Sequence, residues 1–282
     1  MEKNTKILVT GANGYIGSRV VKTLLDLGND VIASDINNSH IDERAKFIKA
    51  NIFSKQDNWF EFFDKPDVCL HLAWLDGFKH NSDKHMLFLS SHYEFLTNLI
   101  NHGLKHLATM GTMHEVGYYE GAIDENTTCN PMSQYGIAKN ALRASMLLFC
   151  KDKDVTFQWL RAFYIYGNDK YGASIFCKIQ QSASEGNKTF PFTTGKNKYD
   201  FIEVNELARQ ISLSIMQEEL NGIINCCSGI PISLADKVEN YIKENNLNIK
   251  LEYGKYPDRK YDSPCVYGDN SKILKILNNS KK

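Results

Sequence analysis

The chain has 282 residues, with 33 Lys and Arg against 33 Asp and Glu, so its formal net charge is zero. The length suits one large domain or a domain with a smaller lobe, and the charge balance argues against nucleic-acid and acidic-membrane partners. Seven cysteines without a C-x-x-C pair predict reduced thiols and no metal site. With neither a signal-peptide pattern nor an apolar run of the ~20 residues that span a membrane, we expect a cytoplasmic protein.

The first predicted elements form a strand–helix–strand unit. Lys6–Thr10 is an apolar run typical of a buried strand. Tyr15–Leu27 carries apolar residues at nearly the period of a helix, and Gly28-Asn29 ends it. Asp30–Asp35 is the second predicted strand. A glycine-rich turn therefore joins the first strand to the helix.

The alternation of strands and helices continues to about residue 166. The further predicted elements are strands Phe47–Ala50, Asp67–Ala73, Lys105–Met110 and Val155–Arg161, with helices Asp83–Gly103 and Gln134–Asp152. Such alternation is typical of a parallel sheet covered by helices on both faces. We predict an α/β fold in which residues 1–166 form a dinucleotide-binding domain with a Rossmann-type, doubly wound parallel sheet.

The pattern loosens after Tyr166, where Gly, Asn, Lys and Thr cluster between residues 186 and 198. The later predicted elements are helix Val204–Gln217, strand Gly222–Cys226 and helix Leu234–Asn245. We predict that residues 167–282 form a smaller, mixed α/β substrate-binding lobe, which returns some elements to the sheet.

Three glycines, Gly11, Gly14 and Gly17, punctuate the first strand-to-helix turn. Glycine lets a backbone turn tightly, approach a pyrophosphate closely and pack helix on strand. The pattern therefore predicts a dinucleotide site, with an ordinary turn as the alternative. The cofactor contacts predicted in this turn are Gly11, Asn13, Gly14, Tyr15, Ile16 and Gly17.

Asp35 ends the second predicted strand, 18 residues after Gly17. A carboxylate there accepts hydrogen bonds from the adenosine ribose and repels a 2′-phosphate, which favours NAD over NADP. The alternative is a turn or helix-cap aspartate. Arg19, just past the turn, is a cation compatible with NADP, so NADP stays open.

Tyr135 and Lys139 lie four residues apart, on one face of a predicted helix. An ammonium nearby lowers the pKa of a phenol, which is near ~10 when free, so Tyr135 is the predicted proton donor. Lys139 would also hold the nicotinamide ribose, and both residues are predicted cofactor contacts. Thr112 would hydrogen-bond the same substrate oxygen, whereas Ser133 better suits a helix cap. These residues predict redox chemistry at a C–OH/C=O centre.

Over nearly its full length the chain resembles the extended short-chain dehydrogenase/reductases of the NAD-dependent epimerase/dehydratase type, which act on nucleotide-diphosphate sugars. The resemblance rests on segments Gly11–Gly17, Asn51-Ile52, His71-Leu72-Ala73-Trp74, Arg161–Gly167, Tyr199–Ala208 and Arg259–Asp262. It implies cofactor contacts from Asn51, Ile52, Leu72, Ala73 and Trp74, and a contact of Arg259 with the diphosphate of the sugar nucleotide. It also implies a homodimer built on paired helices, with burial of those helices against the sheet as the alternative.

Departures from the family pattern narrow the activity. Family dehydratases follow the threonine with Asp-Glu, but Thr112 is followed by Met113-His114, which disfavours water elimination. Tyr164 replaces an asparagine that commonly contacts substrate, and Tyr199 stands where an arginine is usual. His114 is predicted to bind a sugar hydroxyl or act as a second acid/base, with a plain loop histidine as the alternative.

The segment Gly111–Gly117 looks most like that of bacterial dTDP-4-keto-6-deoxyhexose reductases. The resemblance therefore implies NAD(P)H-dependent reduction of the C4 keto group of a nucleotide-diphosphate 4-keto-6-deoxyhexose, giving a fucose- or 6-deoxytalose-type sugar. Two alternatives stay open. One is an NAD-dependent nucleotide-sugar 4-epimerase, and the other is a non-catalytic, cofactor-sensing protein on the same fold.

Overall fold

The computed structural model describes residues 4–167, 174–258 and 262–280. The strands are β1 (Lys6–Thr10), β2 (Asp30–Asp35), β3 (Lys46–Lys49), β4 (Val68–His71), β5 (His106–Thr112), β6 (Gly121–Ile123), β7 (Thr156–Ala162), β8 (Tyr164–Tyr166), β9 (Thr189–Pro191), β10 (Lys198–Glu203), β11 (Gly222–Cys226), β12 (Pro231–Ser233), β13 (Lys250–Glu252) and β14 (Cys265–Gly268). The helices are α1 (Gly17–Asp26), α2 (Trp59–Phe62), α3 (Lys84–Leu87), α4 (Leu89–Asn101), α5 (Gln134–Cys150), α6 (Ile175–Ser184), α7 (Val204–Ile215), α8 (Leu234–Glu244) and α9 (Ser271–Asn279), with a 3₁₀ turn at Met113–Glu115.

A seven-stranded sheet in the order β11-β7-β5-β4-β1-β2-β3 forms the centre of the fold. Every neighbouring pair in it is parallel. The strand order reverses between β1 and β4, so the carboxyl ends of these two strands border a crevice at the switch point. The predicted Rossmann-type sheet is confirmed, and β11 returns to it from late in the chain, beside β7.

A second sheet runs in the order β12-β10-β14-β6, and β8 also pairs with β10. It is mixed, since β10 and β12 are antiparallel while β10 and β14 are parallel. A short parallel pair, β9 with β13, lies apart from it. These elements confirm a smaller mixed lobe. A domain boundary at residue 166 stays a prediction.

Alternating side chains of the central strands divide the core into two layers. Ile7 and Val9 of β1 join one layer, and Leu8 joins the other. The first layer is completed by side chains of α1, α7 and α9, and the second by side chains of α2, α4 and α5. Because α5 packs in the second layer, its first turn lies beside the end of β5.

Two predicted helices differ from those observed. The first begins at Gly17 and not at Tyr15, because the Gly14 N–H bonds the Gly11 carbonyl (3.1 Å) and keeps the preceding residues in the turn. The long helix predicted over Asp83–Gly103 is split into α3 and α4 at Phe88, which has φ −102° and ψ 4°. The ring of Phe88 lies 4.6 Å from that of Phe53, so the break accompanies a packed aromatic pair.

Within the described ranges, no helix combines the length and the apolar character that crossing a membrane requires. The same ranges contain no group of three or more His, Cys, Asp or Glu side chains arranged to hold a metal ion.

Candidate active site

The glycine turn after β1 packs closely against neighbouring backbone, which glycines permit because they have no side chain. Gly11 has φ +70°, and a Cβ there would lie 2.6 Å from the Ala73 backbone nitrogen. A Cβ on Gly17 would lie 2.1 Å from the Gly11 carbonyl oxygen. A Cβ on Gly14 would meet only that carbonyl oxygen, at 3.1 Å, so one side of this residue is open. The turn thus presents bare backbone at the crevice and fits the diphosphate of a dinucleotide.

Asp35 is brought to this turn by the end of β2. Its Oδ2 accepts the Asn13 backbone N–H at 3.0 Å, and its Oδ1 accepts the Ile36 N–H at 2.7 Å. The Asn13 side-chain oxygen accepts the His40 N–H at 2.7 Å. Next to these residues the guanidinium of Arg19 lies 4.4 Å from the centre of the Tyr15 ring. The carboxylate therefore orders the turn and keeps acceptor capacity for ribose hydroxyls.

The other predicted cofactor contacts lie along the same edge of the sheet. Asn51 is exposed, Ile52 is buried, and both follow β3 beside Asp35. The Leu72 N–H donates to the Thr10 carbonyl at 3.1 Å, which places Leu72 and Ala73 beside the glycine turn. The structure thus gathers these residues at the carboxyl ends of β1 to β4, and their contacts with a cofactor stay predictions.

The first turn of α5 presents Tyr135 and Lys139 near the end of β5. Ser133 caps this helix, its Oγ accepting the Gly136 N–H at 3.1 Å, as predicted. Thr112 is the last residue of β5, and its side chain hydrogen-bonds the Tyr135 phenol. The Lys139 ammonium donates to the Met110 carbonyl at 2.8 Å. The three residues of the predicted catalytic set therefore meet at one place.

Burial sets the protonation of this group. It raises the pKa of Tyr135 to about 12, against the opposing hydrogen bond from Thr112. Burial also lowers the pKa of Lys139, which is 2% exposed, to about 7. The expectation that Lys139 lowers the pKa of Tyr135 is wrong for the protein by itself, because desolvation dominates and the ammonium lies 6.0 Å from the centre of the phenol ring.

Trp74 covers Lys139, with the ammonium 3.8 Å from the centre of the indole ring. The indole stacks on His92 at 4.3 Å and donates its N–H to His85 Nδ1 at 3.0 Å. His92 Nδ1 lies 2.9 Å from His71 Nε2, and His71 Nδ1 lies 2.8 Å from the Thr10 hydroxyl. This cluster was not predicted, although His85 and His92 lie seven residues apart within one helix predicted from the sequence.

Imidazole and phenol rings border the other side of Tyr135. The His80 ring stacks on the Tyr135 ring at 5.3 Å, and the His114 ring lies 4.5 Å from His80 and 6.2 Å from Tyr135. Tyr164 lies 6.4 Å from His114. Burial lowers the pKa of His114 to about 4, so its imidazole is neutral near neutral pH and can both donate and accept a hydrogen bond.

Arg259, the predicted diphosphate contact, lies outside the described residues.

A buried ion pair supports the segment after Thr112. The Glu115 carboxylate is fully buried and accepts hydrogen bonds from Arg161 Nε at 2.6 Å and from Trp159 Nε1 at 2.9 Å. Burial raises the pKa of Glu115, and the Arg161 charge opposes that rise. This pair was not predicted, because its only local signal is that Trp159 and Arg161 alternate onto one face of β7. The pair fixes the 3₁₀ turn that carries His114.

Residues 7–227 match the sequence model of the NAD dependent epimerase/dehydratase family. The chain belongs to this family. The predicted resemblance is confirmed, and the protein is an NAD-dependent enzyme of this class, so the glycine turn and Asp35 belong to a fold that carries NAD. Among curated relatives, the dTDP-6-deoxy-L-talose 4-dehydrogenase (NAD(+)) of Aggregatibacter actinomycetemcomitans is 43% identical over 267 residues, which cover 93% of this chain and 98% of that protein.

Solved structures show how far the fold of this family member is shared. The UDP-N-acetylglucosamine 4-epimerase of Methanobrevibacter ruminantium M1 superimposes with a TM-score of 0.85 at 21% identity, covering 97% of this chain and 92% of that one. The UDP-glucose 4-epimerase of Thermotoga maritima gives 0.82 at 23% identity, covering 96% and 92%. At these identities the likeness concerns the fold.

Proposed function

We propose that the protein reduces the C4 keto group of a nucleotide-diphosphate 4-keto-6-deoxyhexose with NADH, with dTDP as the nucleotide and a fucose- or 6-deoxytalose-type sugar as product. The observation that carries the proposal is that Thr112, Tyr135 and Lys139 meet at the end of β5. In the chain, Thr112 is followed by Met113-His114, where the dehydratases of the family have two carboxylates. The dTDP-6-deoxy-L-talose 4-dehydrogenase reported above acts at the same carbon by its name.

The cofactor would lie along the carboxyl edge of the sheet. The open backbone of the glycine turn would hold the diphosphate, and Asp35 would accept from the adenosine ribose. Lys139 would hold the second ribose, because the Met110 carbonyl takes one of its three N–H donors. When bound, NADH supplies the hydride for the carbonyl carbon.

Tyr135 supplies the proton in this proposal. Its phenol has a pKa of about 12 in the free protein, so it enters the reaction as an acid and not as phenolate. The hydroxyl donates to the substrate oxygen O4 as negative charge develops there, and Thr112 bonds the same oxygen. The Thr112 hydroxyl then stabilises the phenolate that remains.

The sugar would lie against the ring cluster on the far side of Tyr135. His114 is neutral and therefore able to donate to one sugar hydroxyl and accept from another. Tyr164, behind it, supplies a ring face and a hydroxyl. We assign the diphosphate of the substrate to Arg259, as the family pattern implies.

Loss of NADH absorbance on mixing the purified protein with NADH and a dTDP-4-keto-6-deoxyhexose tests the reduction. We expect NADH oxidation that requires the sugar nucleotide and gives an alcohol at C4. The matched control omits the keto group by using the corresponding dTDP-hexose. A flat trace with dTDP-, UDP-, GDP- and CDP-linked 4-ketosugars would retire the proposal.

The second candidate is a 4-epimerase, favoured by the names of several relatives of the same fold, including the UDP-glucose 4-epimerase of Lactobacillus helveticus at 23% identity. Such an enzyme keeps NAD bound and needs none added. Protein that purifies with one NAD per chain and interconverts 4-epimers without added cofactor would establish it in place of the reductase.

We also propose that the protein works as a cytoplasmic homodimer. Met86, Leu87, Ile137 and Leu148 expose large apolar side chains on α3 and α5, which pack against each other. An apolar surface of this kind is typical of an interface between copies. A reducing compartment suits the seven cysteines, five of which are buried as thiols.

A further inference from the structure

Lys139 is a buried amine with few charge-stabilising neighbours. Its ammonium donates to the Met110 carbonyl at 2.8 Å and lies 3.8 Å from the centre of the Trp74 indole. An ammonium in a low-dielectric site loses its proton unless hydrogen bonds or charges replace the lost water. The face of an indole ring carries negative potential and attracts a cation at this distance.

The indole of Trp74 is held in place by two histidines. It stacks on His92 of α4 with an angle of 11° between the ring planes, and its N–H donates to His85 Nδ1. Since His85 Nδ1 accepts this bond, its other nitrogen carries the proton and donates to the Lys79 carbonyl at 2.9 Å. Trp74 itself follows β4. Its plane is therefore fixed over the amine, independently of any cofactor.

The titratable groups around Lys139 do little to stabilise its charged form. Glu115 attracts the amine but is committed to Arg161. His71 at the end of β4 and His92 on α4 would repel it if charged, but burial keeps the pKa values of both well below the usual value, so both are neutral near neutral pH. Tyr135, on the same helix, is neutral as well.

We propose that Trp74 is a positioning residue whose indole face keeps the Lys139 amine charged and fixed beside Tyr135. The proposal rests on the proposed function only in that Lys139 then serves the cofactor and the phenol. Removing the ring while keeping an apolar side chain should favour the neutral amine, and another aromatic ring should restore the charged one.

The test follows the titration of Lys139 in the cofactor-free protein by NMR of ¹³Cε-labelled lysine, with its signal assigned by loss in Lys139→Met. We expect wild-type Lys139 to titrate near pH 7. Trp74→Leu should lower the pKa of Lys139 by about 1, the size of a buried cation–π contact. Trp74→Phe should keep it within a few tenths of the wild-type value.

A second readout is the pH dependence of turnover. Activity that needs charged Lys139 falls as pH rises through the pKa of that residue. This fall should begin about one pH unit lower in Trp74→Leu but not in Trp74→Phe. Trp59→Leu removes a different buried indole, near Phe63 and Phe95, and should leave the titration of Lys139 unmoved.

Equal pKa values in all the variants, or equal shifts in Trp74→Leu and Trp74→Phe, would overturn the proposal. So would a wild-type Lys139 that is already neutral at pH 6, a result that needs no variant to fold. Because the titration uses neither substrate nor NADH, an unmoved pKa removes the role of Trp74 alone, whereas a flat NADH trace removes the reduction alone.

Discussion

Tyr135 differs from a free phenol because it is desolvated and hydrogen-bonded by Thr112, and burial raises its pKa to about 12, so the phenol is protonated near neutral pH and is our proposed proton donor. Tyr135→Phe removes the proton and little else. We expect turnover to fall by about 10²- to 10⁴-fold, measured as NADH oxidation, with the NADH dissociation constant changed only a few-fold. Tyr253→Phe, which removes an exposed phenol bonded to Glu239, is the control and should retain wild-type turnover. Unchanged turnover in Tyr135→Phe would exclude this phenol as the donor.

At the same scale, we expect Asp35 to decide the preference for NADH over NADPH. Its carboxylate would repel a 2′-phosphate, whereas an amide of the same shape can still accept the Asn13 N–H. Asp35→Asn should therefore raise the kcat/KM ratio of NADPH to NADH by about tenfold, which corresponds to about 1.4 kcal/mol. The matched control is Asp30→Asn at the exposed start of β2, which should not change the ratio. A wild-type preference for NADPH would contradict the assignment.

Among the elements, α4 makes the free energy of unfolding depend on pH, because its buried His92 has a pKa lowered from 6.5 to about 3. Between these values the unfolded chain binds the proton and the folded protein does not, so stability rises with pH across the window and is lost as pH falls from about 6.5 toward 3. At about pH 4.5 the loss from His92 amounts to about 3 kcal/mol. We expect the free energy of unfolding, measured in urea, to fall less steeply between pH 7 and pH 4.5 in His92→Asn than in the wild type. His102→Asn, at the exposed end of this helix, is the control; a wild-type slope in His92→Asn would refute the prediction.

The elements also show what the sequence can and cannot predict. Ser133, Tyr135 and Lys139 were predictable because helix capping and a four-residue spacing are local properties of α5. The contact of Trp74 with Lys139 joins the loop after β4 to α5, and no local pattern encodes it. The pKa of Tyr135 was mispredicted for a related reason. The spacing predicts only that an amine lies near the phenol, whereas burial, which depends on the whole fold, has the larger effect on its pKa. The sheet was predictable from alternation, whereas the short strands of the smaller lobe were not.

At the scale of the whole molecule, the exposed apolar surface of α3 and α5 predicts the oligomeric state. Leu148 is 74% exposed on α5. Leu148→Glu would place a charge in the proposed interface, so we expect a monomer where the wild type is a dimer, measured by size-exclusion chromatography with light scattering. Ile230→Glu changes a 70% exposed residue elsewhere and should remain dimeric. A monomeric wild type would contradict the interface.

The place of β11 in the sheet bears on how the protein is made. Since β11 comes from residues 222–226 yet pairs with β7, a nascent chain carries an open strand edge until those residues leave the ribosome. That edge can recruit other nascent chains and so seed misassembly during translation. A gene fragment truncated before residue 222 would encode every predicted NAD contact and still yield an unfinished, aggregation-prone polypeptide.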